Sequence, residues 1–240
     1  MSASPIIVAY DASPNADDAV ALGNQLAQLT GAPLALAHVY RTPSQSPRDG
    51  AGVVEGRVKL ARRVAEEALS QGARLLDRDV ARLVVSSTTT ATGIRTIAGR
   101  EHAALVLFGS AQRTLPGRVH PGSASRRLLH GLPCAVGLAP VAFRERGQSG
   151  LEAIAVAHDD PTYAARRSAE ALALLAGAEV AAGEDAGDLL FVGSAAGAQR
   201  GQVLVNAAIT RMIQTAGTPV VVVPYGEALY LEGAAASAAA

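Results

Sequence analysis

The chain has 240 residues and 24.3 kDa, with 21 basic and 21 acidic side chains and a formal net charge of zero. That balance excludes a mainly electrostatic binder of nucleic acid or of membrane surfaces. Hydrophobic residues at 49% against 18% charged exclude wholesale disorder. The single cysteine, Cys134, excludes an internal disulfide and any multi-cysteine metal site. Few aromatics and no tryptophan leave no stacking platform for single-stranded nucleic acid.

In chain order, short apolar runs alternate with helical patterns. Pro5 to Tyr10, Pro33 to His38, Ala81 to Ser86, Ala104 to Phe108 and Cys134 to Leu138 read as strands. Their apolar residues are continuous rather than alternating, as in strands buried on both faces. Asn15 to Thr30, Arg57 to Leu76, Thr92 to His102 and Ser123 to His130 read as helices. Ser13 can cap the first, with Pro14 opening it and Asp17 and Asp18 in its first turn. Gly31 then Pro33 ends the first helix, and Gly131 then Pro133 ends the last. Alternating strands and helices predict a doubly wound parallel sheet. Thr42 to Gly56, rich in Pro, Ser and Gly, reads as a long loop, either a solvated connection or a flap over a site at the carboxyl ends of the strands.

After a polar linker, Phe143 to Gly150, the pattern restarts. Ile154 to His158 then Asp159 repeats Ile6 to Tyr10 then Asp11. Thr162 to Ala176, closed by Gly177, repeats the first helix. Leu189 to Val192 then Gly193-Ser194-Ala195 repeats Leu105 to Phe108 then Gly109-Ser110-Ala111, and Gly217 then Pro219 repeats Gly131 then Pro133. This is an internal repeat of one unit. The second copy is much shorter: only Ala178 to Gly187 stands where two strands and two helices stood, with Glu179 to Ala182 as a short strand or a loop. The expected organisation is a complete α/β domain over 1–140, a truncated repeat over 151–225 and a tail over 226–240, frayed or docked through Leu229, Tyr230 and Leu231. The expected fold is α/β, two doubly wound parallel sheets, the second reduced.

The chemistry concentrates after the fourth strand. Gly109-Ser110-Ala111-Gln112 is followed by nine residues and then Gly122-Ser123, opening a helix. A strand, a small-residue loop and a helix N-terminus form an anion site, because glycine admits a phosphate close to the backbone and the free amides and the helix dipole face it. Ser123 and Ser125 add hydroxyls. Asp11, at the end of the first strand, falls near this loop, where a carboxylate can accept from a ribose or a base. Arg113, Arg118 and His120 can meet phosphate or remain solvated. The loop is neither a Walker A motif nor a GxGxxG fingerprint.

With these features the chain resembles a tandem member of the universal stress protein family. That family's units have five parallel strands in order 3-2-1-4-5, and its nucleotide-binding members carry Gly-x2-Gly-x9-Gly followed by Ser or Thr. Gly109, Gly122 and Ser123 match at that spacing, and Gln112 stands in place of the second glycine. Asp11 matches the family aspartate after strand one, and Val39 matches the strand-two residue whose backbone meets adenine. The resemblance implies an adenine nucleotide, ATP or AMP, held by Asp11, Ala12, Ser13 and Val39 at the nucleoside and by Gly109, Ser110, Gln112, Gly122, Ser123, Ala124 and Ser125 at the phosphate. In the second copy Asp159 and Gly193 match, but Ala196, Asn206 and Ala207 replace the rest. Family units dimerise through their fifth strands. The apolar strands Cys134 to Leu138 and Val220 to Val223 are therefore expected to pair within the chain as a pseudo-dimer, with a homodimer possible.

Other features read as structural. The five histidines, His38, His102, His120, His130 and His158, lack metal-ligand spacing. Asp159 and Asp160 fit a helix cap better than paired catalytic carboxylates. No GxSxG elbow occurs, and Cys134 reads as a small core residue. Ser86 to Thr92 reads as a capped strand-to-helix turn, or a phosphorylation tract. No apolar stretch approaches the ~20 residues of a membrane span, and Met1 to Pro5 lacks a basic leader followed by a long apolar core. Residence in the cytoplasm is the expectation, with nucleotide holding rather than fast catalysis; at most very slow ATP hydrolysis fits. A nucleotide-free interaction module of the same fold is the alternative.

Overall fold

The structure is a computed structural model that describes residues 3–41, 51–147, 150–158, 160–183 and 187–232. Among the described residues, nine strands form one sheet: β1 (Ile6–Ala9), β2 (Leu34–Arg41), β3 (Ala81–Ser87), β4 (Leu105–Gly109), β5 (Ala135–Ala139), β6 (Ala153–His158), β7 (Glu179–Ala182), β8 (Leu189–Val192) and β9 (Val220–Val222). Six α-helices among the described residues cover it: α1 (Pro14–Thr30), α2 (Ala51–Ala73), α3 (Thr90–Arg100), α4 (Ser123–Leu128), α5 (Ala164–Ala176) and α6 (Ala207–Thr215). Among the described residues, no helix is long and apolar enough to cross a membrane.

The spatial order is β3-β2-β1-β4-β5-β9-β8-β6-β7. The front half is the doubly wound order 3-2-1-4-5, parallel throughout. The back half, β7-β6-β8-β9, is also parallel within itself. At the centre β5 and β9 run antiparallel, with Val136 opposite Val222 and Leu138 opposite Val220. The expected two sheets are therefore one. Each of these apolar strands would otherwise present a bare edge of unpaired amides and carbonyls, and antiparallel pairing removes both edges at once.

The local signals act as anticipated in the front half. The Ser13 hydroxyl caps α1 by accepting from Ala16 N at 3.2 Å, and Gly31, at φ 69°, closes the helix with its amide on Ala27 O. The Thr89 hydroxyl likewise caps α3. Ile6, Val8, Leu36, Leu105 and Leu107 are fully buried on the α1 and α2 face, and Ile7, Val106 and Val136 on the α3 and α4 face. This two-sided burial explains the uninterrupted apolar runs.

Three expectations shift. Ala51 to Gly56 forms the first turns of α2 rather than loop, supported by the Glu55–Lys59 pair one turn apart; 42–50 lie outside the described residues. The short back half resolves as β7 beside β6, in the place that β2 holds beside β1, and β8 on the other side of β6. The chain re-enters the sheet hard against β6: a Cβ on Gly187 would lie 2.8 Å from Ala155 N and 2.9 Å from Ala153 O, and the Asp188 carboxylate accepts from the Glu152 and Ala153 amides. The tail docks as far as Glu232. Leu229 and Leu231 are buried, Gly226 N donates to Asp160 Oδ2 and Leu229 N to Ser168 Oγ. Residues 233–240 lie outside the described residues.

Candidate functional site

A cavity of about 390 Å³ opens at the carboxyl ends of β1, β2 and β4, where the strand order reverses. Ligands of doubly wound sheets bind at this crevice. Ala9, Ala37 and Val39 line it from the strands, Thr90 and Ile94 from α3, and Phe108 through Gln112 from β4 and its loop. Gly122 through Ser125 close it at the start of α4, and Asp11, Ser13, Asn15 and Ala16 at the start of α1. One end is thus apolar, and the other is built from backbone and small polar groups. Helices α1, α3 and α4 all start here, so their positive dipole ends converge on it.

Ten of the eleven sequence-predicted residues line this cavity: Asp11, Ser13, Val39, Gly109, Ser110, Gln112, Gly122, Ser123, Ala124 and Ser125. Ala12 does not. Its backbone adopts φ 62°, and it lines a shallow groove beside Arg63 and Glu67 of α2. The Asp11 carboxylate is exposed and accepts from Ser13 N at 3.1 Å. Among the described residues it is the only carboxylate lining the cavity, and no Lys or Arg among them lines it.

Two residues of the loop are explained by packing. A Cβ on Gly109 would collide with the Asn15 carbonyl, so glycine there lets β4 approach the start of α1. The Asn15 amide locks the same contact, donating to Ser110 O at 2.9 Å and Ala111 O at 3.2 Å. The Ser110 hydroxyl, expected at phosphate, donates to Ala139 O at 2.7 Å and accepts from His120 N at 3.1 Å. The back half repeats this device: Ser194 Oγ donates to Val223 O at 2.6 Å and accepts from Leu204 N at 3.2 Å.

Gly122 is different. A Cβ there meets nothing closer than Ser125 Oγ at 4.0 Å, so the fold does not demand glycine. As N-cap of α4 it offers no side-chain acceptor to the first amides. In the back half Asn206 caps α6 with its own carboxamide oxygen, accepting from Ile209 N at 2.9 Å. The front helix start is therefore left open toward the cavity, and its counterpart is closed by the protein itself.

Arg113, Arg118 and His120 were open to either phosphate contact or a solvated loop. Arg118 Nη1 donates to Thr215 O at 2.7 Å, and neither Arg113, Arg118 nor His120 lines the cavity. His38 falls between Ala37 and Val39 and so faces the opposite side of the sheet; burial lowers its pKa. Burial also pushes the Cys134 thiol up to about 12, which keeps it protonated and unreactive. Asp160 caps the turn before α5, accepting from the Thr162 amide and hydroxyl and from Gly226 N. Burial raises its pKa, but these hydrogen bonds outweigh burial and hold the carboxyl below its usual range. Asp159 lies outside the described residues.

Sequence reasoning missed Asn15, Thr90, Ile94 and Phe108. Thr90 falls in a Ser and Thr run readable as a cap. Its aim into the cavity follows only from α3 packing so closely over β2 that a Cβ on Gly93 would lie 2.5 Å from Val39 Cγ1.

A nine-stranded, mostly parallel α/β sheet with its crevice at the switch point defines a Rossmann-like protein. The model of the universal stress protein family matches residues 3–140. The chain belongs to the universal stress protein family. A universal stress protein from Archaeoglobus fulgidus has the same fold at 14% identity, covering 94% of this chain and 100% of that one, with a TM-score of 0.64. A candidate universal stress protein from Pseudomonas aeruginosa follows at 15% identity, 92% and 93% coverage and a TM-score of 0.60. A family protein from Arabidopsis thaliana with AMP bound is 16% identical, with 60% and 95% coverage and a TM-score of 0.39. No curated protein matched in sequence comparison.

Proposed function

We propose that this chain is a cytoplasmic stress-response protein that holds an adenine nucleotide, of the ATP or AMP type, in the front-half cavity. It acts as a sensor or scaffold rather than a fast enzyme. The observation that carries the reading is the cavity's division into an apolar end and an end of open backbone amides. Adenine packs among Ala37, Val39, Ile94 and Phe108. Asp11 accepts from the ribose hydroxyls, and phosphate lies over Gly109 to Gln112 and the start of α4. Those groups supply amides and helix dipoles rather than side-chain cations. The back half is a truncated repeat that serves as an internal dimer partner through β5 and β9.

The test begins with the purified protein as isolated: denature it and examine the released small molecules by mass spectrometry. Calorimetry with ATP, AMP and cyclic AMP follows. Asp11→Ala is expected to weaken binding by about 1–3 kcal/mol, the worth of a charge-assisted hydrogen bond. A wild type that releases no nucleotide and responds to none of the three overturns the reading. A nucleotide-free scaffold is the second reading, and one observation favours it: Gly109 and Ser110 are both accounted for by packing alone.

A further inference from the structure

We infer that the back half of the chain holds the phosphate-facing loop of the front half in its binding shape, with Arg118 as the positioning residue. The nucleotide consequence rests on the reading above; the mechanical claim does not. The chain leaves the cavity at Gln112 and returns to it at Gly122. Between these points the loop is tied to its own half by Ala111 N on His120 O at 2.9 Å and Gly117 N on Val141 O at 2.8 Å. Its outer side crosses to the other half, where Arg118 Nη1 donates to Thr215 O at 2.7 Å.

Thr215 ends α6. Carbonyls of a last helical turn lack intrahelical donors and sit at the negative end of the helix dipole. A guanidinium there satisfies the carbonyl and complements the dipole, and in return fixes the loop's position.

The segment beyond the cavity is held from the same side. Gly131 N donates to Val203 O at 2.7 Å, Val203 N to Leu132 O at 3.0 Å and Val205 N to Leu129 O at 3.2 Å. Helix α4 has only six residues and cannot hold its own geometry; isolated helices shorter than ~12–15 residues are marginal. The stretch that presents amides to the cavity is thus clasped at both ends by a half whose own helix start is closed by Asn206. The back half contributes to the site by positioning.

Hydrogen exchange on the ligand-free, full-length protein tests the clasp, comparing wild type, Arg118→Ala and Arg118→Lys. The expected result is exchange over residues 111–126 about threefold to tenfold faster in Arg118→Ala, the opening that one net hydrogen bond resists. Arg118→Lys, which keeps a donor, should restore most of the protection, and β1 and β2 should not change. Unaltered exchange over 111–126, or acceleration spread evenly over the chain, overturns the inference. Calorimetry with adenosine and AMP then reads the consequence. Arg118→Ala should lower AMP affinity by a similar factor and leave adenosine affinity alone; equal losses for both overturn it. A wild type that binds neither ligand removes the nucleotide reading, while the exchange result still decides the clasp.

Discussion

Removing the Ser110 hydroxyl separates a structural role from a ligand role. The side chain is buried, and its hydroxyl donates to Ala139 O at 2.7 Å and accepts from His120 N at 3.1 Å. Ser110→Ala deprives both backbone groups of that partner at once and adds almost no cavity volume. Leaving buried polar groups unsatisfied costs about 1–3 kcal/mol. Ser194→Ala should cost about the same, since its hydroxyl makes the matching pair of bonds at 2.6 Å and 3.2 Å. The two sites share no partner, so the double variant should show the sum. Urea unfolding followed by far-ultraviolet circular dichroism and by tyrosine fluorescence measures this, the two probes testing for a single transition. In heating, each kcal/mol corresponds to a fall of roughly 2–4 °C for a chain of this size. Either variant lying within about 0.5 kcal/mol of wild type, the usual range for surface substitutions, would falsify the structural assignment. Nucleotide affinity that collapses in a stably folded Ser110→Ala protein would return the hydroxyl to the ligand.

Gly122→Ala should leave stability within about 0.5 kcal/mol, because the space there is open, yet lower nucleotide affinity about tenfold by crowding phosphate; calorimetry beside thermal melts reads both. Gly187→Ala forces a methyl onto the β6 backbone and should cost about 1–3 kcal/mol in urea unfolding, whereas a cost near zero means the chain enters β8 by another path. For Asp160 the folded carboxyl titrates below its ordinary 3.8, so its contribution is present above that value and is lost as pH falls through the folded pKa. The stability gap between wild type and Asp160→Asn should accordingly be constant near neutrality and narrow below about pH 4; a gap that widens on acidification contradicts the assignment.

Much of the front half was legible because its signals are local. Apolar runs, the Ser13 cap, Pro14 and Gly31 each act within a few residues, so strands and helices are placed to within a few positions at most ends. The start of α2 escaped because Gly52 and Gly56 mimic loop composition, while the helix propagates through them from a packed remainder. Ten of the eleven residues named from the sequence line one cavity, since parallel strands deliver their carboxyl ends to one rim; the loop residues came from their spacing, Asp11 from its place after the first strand and Val39 only from the family resemblance. What each residue does there was not. Ser110 was read toward phosphate and Arg118 toward phosphate or solvent, yet their partners, Ala139 and Thr215, are distant in sequence.

By itself, the order of residues determined the alternating α/β pattern, its partial recurrence after the linker and the small-residue loop that lines the cavity, because hydrophobic period, capping and turn chemistry are properties of neighbours. Only the tertiary structure decided that the two halves share one sheet, that the second strand of the back half lies beside β6, and that Arg118 of one half meets the Thr215 carbonyl of the other. Those outcomes turn on which strand edges and carbonyls lack partners once the chain is compact, and on which distant groups then come within hydrogen-bonding reach.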